Sequence, residues 1–447
     1  MALRWPGPVP RMCTVDQCRH ESVPHEIATY FTSPRTGLTF YRAERTPVPQ
    51  HAGLMFAPNT PPPHRRDSSV GVGLDLGTSN TTLAQVGNPM RLGESGTPLL
   101  PSAIAYLPNG ETWVGGAARA RRMIDPQNVL LSTKRVIGAG VRSEAVARFK
   151  ESSRYQCVDL AGGIGFQTRR GLVTPSDVAT QITKMAFELA DIAIEAPACV
   201  VVGAPATYDD QRRSVTREAV LAAGARDVRL IDEPVLTAVA YLGRNSVRRG
   251  LVYDLGGGTF DVAVIDGTSY PFKPLACSGD PYLGGEDVDT ALAEVIREEM
   301  LRKHGWDFAT EASTHGAFLL AIERAKQQLS IDEQVTLTIS EIDPAAPDHF
   351  EKLVLTRDML KSVTQPFVQR TFIILDEVLS QASTRAQDVD AVFLAGGSTR
   401  LPGIREAIEA YFGKRPRSDV DASCTVAIGA SLIASRPDLA SALIAAA

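Results

Sequence analysis

The chain has 447 residues, enough for two or three domain-sized units, and its 44% hydrophobic and 22% charged content is that of a globular protein. Lys+Arg number 46 against 51 Asp+Glu, a formal charge of -5, which excludes a global electrostatic attraction to nucleic acid or to an anionic membrane. No apolar run approaches a transmembrane span, the first residues lack the charged-then-apolar order of a signal peptide, and Cys13, Cys18, Cys157, Cys199, Cys277 and Cys424 are scattered, so the expected compartment is the cytoplasm.

Residues 1–69 are dense in proline, ending in Pro61-Pro62-Pro63 and His64-Arg65-Arg66, which opposes helix and central strand alike. They are expected to form a mostly disordered extension. Cys13, Cys18, His20 and His25 lie close together there, but their spacing fits no standard zinc finger and no metal is expected. An alternative is that translation begins later, at Met55, and the leader is a gene-start artefact.

From Val70 the punctuation is that of an α/β protein. Val70 to Leu74 and Thr81 to Val86 read as strands around Asp75-Leu76-Gly77-Thr78-Ser79-Asn80. Thr174-Pro175-Ser176 opens an amphipathic helix, Cys199 to Gly203 is a buried strand, and a helix from about Asp209 to Ala223 stops at Gly224. Val228 to Ile231 is a short strand before a helix at Pro234. Gly250 to Tyr253 and Val262 to Ile265 then frame a second turn, Asp254-Leu255-Gly256-Gly257-Gly258-Thr259-Phe260-Asp261. Helices follow at Ala291 to Met300, His315 to Leu329 and Asp358 to Gln381, with a strand at Val335 to Ile339. Val392 to Ala395 is the last buried strand, and its Gly396-Gly397-Ser398-Thr399-Arg400 turn feeds a helix begun by Pro402.

The repeated hairpin carries the chemistry. Glycine lets backbone N–H groups approach an oxyanion without a Cβ in the way, and the Asp closing each first strand is suited to hold Mg²⁺ through water. One such hairpin is equally well a plain corner; two with the same leading Asp favour a phosphate site. Neither turn opens a helix as a dinucleotide fingerprint does, and no G-x-x-x-x-G-K-[ST] is present. Each hairpin heads its own half, the pattern of a duplicated two-lobed fold.

The sequence resembles the nucleotide-binding region of Hsp70-type chaperones, within the actin, Hsp70 and sugar-kinase superfamily. The matching segments run in order from about Val70 to Ser435. They are Gly73 to Asn80, Thr133-Lys134-Arg135-Val136-Ile137-Gly138, Ile231-Asp232-Glu233-Pro234, Tyr253 to Asp261, Leu283-Gly284-Gly285-Glu286-Asp287, Ile322-Glu323-Arg324-Ala325-Lys326 and Gly396 to Pro402. The resemblance implies an α/β, actin-like ATPase fold of two lobes, each with a ribonuclease-H-like core and a smaller subdomain. Lobe I would take 70–248 plus 419–447, with its subdomain at about 108–170, and lobe II 249–418, with its subdomain at about 285–349.

It further implies ATP or ADP with Mg²⁺ in the cleft. Gly77, Thr78, Ser79, Asn80, Gly256, Gly257, Gly258 and Thr259 would bind phosphates, and Asp75 and Asp254 would position hydrated Mg²⁺. Lys134, Glu233 and Thr259 form the implied catalytic set. On residues alone Lys134 reads as a surface lysine, and Glu233 is equally a helix-capping acid; the resemblance favours catalysis for both. Glu323, Lys326 and Ser330 share one helical face and would meet adenosine opposite Gly396, Gly397, Ser398 and Arg400, where spacing alone also allows an exposed polar face.

Departures are Gln327, where an adenine-stacking Arg is usual, Ser423 near a usual Asp, and Asp232 for the usual Asn. After Gly429 no room is expected for a peptide-binding domain, so direct high-affinity peptide binding is not expected. The implied function is a slow Mg-dependent ATPase acting as a conformational switch on an unknown protein partner. A nucleotide-regulated filament or scaffold and a non-hydrolysing sensor are the alternatives. A small-molecule kinase is disfavoured by the Gly-Gly-Gly-Thr-Phe-Asp hairpin.

Overall fold

The computed structural model describes residues 28–32, 39–43 and 70–436, apart from 94–95, 154, 244–246, 269, 271 and 348–351. Cys13, Cys18, His20 and His25 therefore lie outside the described residues. Ala28–Thr32 and Thr39–Ala43 pair antiparallel, with Tyr30 opposite Tyr41 and Phe31 opposite Phe40. The sequence reading missed this hairpin because it weighed proline density over the whole extension, whereas both strands are proline-free runs of Thr, Tyr and Phe, good strand formers.

In the remainder, two sheets repeat one plan. Val72–Leu76 runs antiparallel to Asn80–Gln85 and parallel to Val200–Ala204, which is in turn parallel to Val228–Asp232. Arg249–Leu255 runs antiparallel to Phe260–Asp266 and parallel to Ala391–Ala395, while Lys273–Asp280 extends the other edge. The leading Asp thus occupies the same place twice, Asp75 opposite Thr82 and Asp254 opposite Asp261. Val200–Ala204 is buried at every position, as a central strand covered on both faces must be.

Local signals set the helix ends. Thr174 and Asp177 form a reciprocal capping box ahead of Pro175–Leu189, Asp209 caps Asp210–Ala223, and Gly224 closes that helix at φ 122. Gly285–His304 starts earlier than its apolar periodicity suggests, because the Asp287 carboxylate accepts from the Gly284 N–H (2.9 Å) and anchors an acidic first turn. Ile339 leaves its expected strand to begin a short helix, Ile339–Ile342. Pro402 precedes rather than starts the helix Ile404–Phe412.

One core runs from Leu251 to Phe412 around the second sheet, and another from Val72 to Val228 around the first. A third joins them, in which Val201 of the first sheet and Val252, Ile265 and Phe393 of the second pack on Leu236, Val239, Ala430 and Ile433. Those last residues belong to the helices Glu233–Leu242 and Thr425–Ala434. Gly73 allows the close approach: a Cβ there would overlap the backbone of Ala427 and Ser431. Smaller elements flank this frame. Ala103–Tyr106, Thr112–Val114 and Val129–Leu131 form one sheet, Cys157–Leu160, Gly163–Thr168 and Gly171–Val173 a second, and Gln334–Thr338 with Lys352–Thr356 a third.

Candidate functional site

Both hairpins open onto one cleft of about 430 Å³, within the range of small-molecule sites. Asp75, Gly77, Thr78, Ser79 and Asn80 line it from the first sheet, and Asp254, Gly256, Gly257 and Thr259 from the second. Lys134 and Glu233 enter beside them, and Glu323, Lys326, Ser330, Gly396, Gly397, Ser398 and Arg400 line the rest. Gly258 is not among the lining residues: a Cβ there would lie 2.5 Å from Thr78 Cγ2 and 2.9 Å from Arg135 Nε. At Gly257 a Cβ would overlap the Ser79 side chain, so the two turns meet only because glycine stands there.

Lys134 sits on the turn Thr133–Val136, and Glu233 is the first residue of Glu233–Leu242. Far apart in sequence, they meet through Nζ and Oε1 at 2.9 Å, both almost wholly buried. The turn is braced from below: Tyr208 donates to the Lys134 carbonyl (3.1 Å), and the Arg212 guanidinium donates to the carbonyls of Lys134, Arg135 and Ile137. Such bracing fixes where the ammonium stands.

Around this pair the site is short of positive charge. Burial raises the Asp75 carboxyl to about 7 against the pull of Lys134, with Glu233 adding to the rise. Asp261 is raised to about 7 by burial and by Glu233, with Lys134 opposing. Asp254 is raised well above its ordinary value by burial, then by Glu233, Asp261 and Asp75. Burial alone would lower Lys134, but Glu233, Tyr208 and Asp75 outweigh it and hold the ammonium above its usual range. Buried carboxylates in excess of cations are unfavourable unless protonated or met by a further positive charge, and hard oxygen donors suit Mg²⁺. The residues present therefore fit a divalent cation.

The other end of the cleft is built from ion pairs. Lys326 is buried, and its Nζ donates to Asp289 (2.7 Å) and to the Gly285 carbonyl (2.7 Å). Glu323 accepts from Arg119 (2.5 Å) and from Gln327 Nε2 (3.3 Å), and Ser330 donates to the Lys326 carbonyl. Arg400 pairs with Asp421, which also accepts from the Ser423 N–H (2.9 Å) and hydroxyl (2.6 Å). At the Ser423 departure, then, a carboxylate stands two residues earlier in the chain. Asp232, the other acidic departure, pairs with Arg213.

Sequence reasoning assigned no role to Asp261, Glu286 or Asp289. Asp261 was legible as the residue that closes the second hairpin opposite Asp254. Glu286 and Asp289 line the cleft from the helix Gly285–His304, and only the acidic Gly-Gly-Glu-Asp run hinted at them.

Two lobes, each with a hairpin-led sheet, facing across a cleft of this kind constitute the actin-like ATPase fold. The family model described as Hsp70 protein matches residues 71–436, and the chain belongs to the Hsp70 family. It is similar to proteins named chaperone protein HscA homolog from Burkholderia thailandensis (36% identical over 381 residues), Cupriavidus metallidurans (35% over 383) and Methylobacillus flagellatus (33% over 378). Each match covers 83% of this chain and 58 or 59% of the relative. The chain therefore spans well under two thirds of the length of these curated relatives. Among the described residues, no helix is long and apolar enough to cross a membrane.

Proposed function

We propose that this chain binds ATP in the cleft and hydrolyses it slowly in a Mg-dependent reaction, and that opening and closing of its lobes signals to a protein partner. The observation that carries this reading is the buried Lys134–Glu233 pair beside Asp75, Asp254 and Asp261, between two glycine hairpins. Asp75 and Asp254 would hold Mg²⁺ through water. Bound there, the ion offsets phosphate charge. The backbone N–H groups of the two turns, with the hydroxyls of Thr78, Ser79 and Thr259, orient the phosphates.

Lys134 places positive charge where negative charge develops, and Glu233, held by Lys134, orients a water. Adenosine would lie between the Glu323, Lys326 and Ser330 face and the Gly396 to Arg400 turn. Lobe I is read as 70–248 plus 419–447 and lobe II as 249–418, so closure would move one hairpin against the other. The HscA homologues are named as chaperones, which supports a chaperone-related role; a pulldown comparing ATP-locked with ADP-bound protein would identify a partner.

The deciding experiment is steady-state phosphate release by purified Lys134→Ala and Glu233→Ala, with nucleotide binding measured alongside. Turnover should fall roughly tenfold to a thousandfold while binding persists, since both residues act mainly on the transition state. Undiminished turnover in both folded variants would remove the mechanism.

A further inference from the structure

At the base end of the cleft the polar groups are already in use. Ser330 donates its hydroxyl to the Lys326 carbonyl (3.2 Å), and Ser423 donates its N–H and its hydroxyl to Asp421, which also holds the Arg400 guanidinium. The Glu323 carboxylate is taken by Arg119 and by Gln327 Nε2, and the Lys326 ammonium by Asp289 and the Gly285 carbonyl. The Ser398 hydroxyl stands against Gly285, which also faces Gly257 of the second hairpin, so it belongs to the phosphate side.

This end is also open. The Arg400 and Asp421 side chains are 52% and 47% exposed, Gln327 is exposed, and Ile331 on the wall presents 81% of its surface. Leu401 and Ala422 add apolar surface beside them, on which any base can lie. A site rejects a wrong ligand strongly when that ligand leaves the site's own buried donors or acceptors unpaired. Among the described residues of this end, each polar group is satisfied by the protein or stands open to water, so a change of base strands none of them. Nor does an open wall clash with the substituents that tell the purines apart, an amino group or a carbonyl at C6 and an amino group at C2.

We propose that the chain is a general purine nucleoside triphosphatase, which takes guanosine and inosine triphosphates as it takes ATP. The inference rests on the nucleotide reading given above and adds its substrate class. Water adds to the γ-phosphorus as the bond to the β–γ bridging oxygen breaks, releasing the nucleoside diphosphate, inorganic phosphate and a proton; the base takes no part. A small preference for adenine remains, because the lone pairs of the Ser330 and Ser423 hydroxyls accept from an amino group at C6 and disfavour a carbonyl. Water competes for the same groups, which holds that preference to about tenfold or less.

Calorimetric titration of the full chain with ADP, GDP and IDP tests recognition, and phosphate release from ATP, GTP and ITP at matched Mg²⁺ tests the activity. The three diphosphates should bind within about tenfold of one another. The triphosphates should turn over with kcat values within about threefold, since the base makes no contact special to the transition state. A larger penalty for GDP or IDP, or no phosphate release from GTP and ITP while ATP is hydrolysed, overturns the proposal. Gln327→Ala and Ser330→Ala should each leave the ratio of ADP to GDP affinity within about threefold of wild type. A greater shift in either identifies that side chain as a reader of the base and overturns it too. Wild-type protein that binds none of the three diphosphates removes the nucleotide reading and this inference with it, whereas binding of ADP alone removes only the inference.

Discussion

The two ends of the cleft differ in how they handle charge. At the hairpin end Asp75, Asp254 and Asp261 are desolvated around one buried lysine, and the geometry is fixed by backbone turns and by the Arg212 brace. At the far end acids and bases are matched pair by pair, Lys326 with Asp289, Glu323 with Arg119 and Arg400 with Asp421. That end is also wetter: the Arg400 side chain is 52% exposed and Ile331, on the cleft wall, 81%. Unbalanced charge that the fold maintains against its own stability is the mark of a reacting centre, whereas balanced pairs position and hold.

Within the hairpin end the two aspartates are unequal, and this gives the largest expected effect. Lys134 is the strongest charge acting on Asp75, whereas Asp254 faces Glu233, Asp261 and Asp75 before any cation. A divalent ion should therefore depend more on Asp254. The Mg²⁺ concentration giving half-maximal turnover should rise about a hundredfold in Asp254→Asn and about tenfold in Asp75→Asn, the range known for groups that support a metal without dominating it. Equal shifts would mean that Lys134 does not discriminate between the hairpins.

A second, smaller effect follows from the raised carboxyls. A carboxyl whose pKa is higher in the folded chain than in the unfolded one binds more protons when folded. Its stabilisation is full below the unfolded value of about 4 and is lost as pH rises through the folded value. For Asp75 and Asp261 the window runs from 3.8 to about 7. Nucleotide-free protein should lose stability across that window, by about 4 kcal/mol per group, and Asp261→Asn should flatten the slope. Denaturant titrations at several pH values measure it; a slope unaffected by Asp261→Asn would show that the group is not desolvated in solution. At the far end Asp289, which burial raises to about 7 against the pull of Lys326, should add to that slope, whereas Asp421, held below its ordinary range, should oppose it.

How much the sequence disclosed follows the same division. The hairpins were legible because turn chemistry is local: Gly, Thr and an Asp at the strand end, written twice. The roles of Lys134 and Glu233 entered only through family resemblance, and their contact could not be read from spacing. Arg119 with Glu323 and Arg135 with Glu286 were not legible at all, since each joins side chains 204 and 151 residues apart through tertiary packing. Lys326 shows the converse. Its helical spacing suggested either a binding face or a solvated one; it lines the cleft but is buried against Asp289, so only the solvated face is excluded.

The smallest expected effect lies at the base end and tests whether that end only holds. Gln327 lines the cleft and donates to Glu323, whose carboxylate already accepts from Arg119. An arginine at 327 would place a flat cation beside the base, and Glu323 would help neutralise it. Cation–π stacking at a half-exposed site is worth about 0.5–1 kcal/mol, or roughly twofold to fivefold in affinity. Gln327→Arg should tighten ATP and ADP alike by that factor in calorimetric titrations, since the substitution lies on the base-end helix and leaves the charge balance around Lys134 untouched. A preference for ATP over ADP in the variant would show that the two ends communicate. Unchanged affinities, with Arg400→Ala abolishing binding, would instead move the base away from the helix that carries Glu323, Lys326 and Ser330. The paired charges there would then serve lobe packing rather than the ligand.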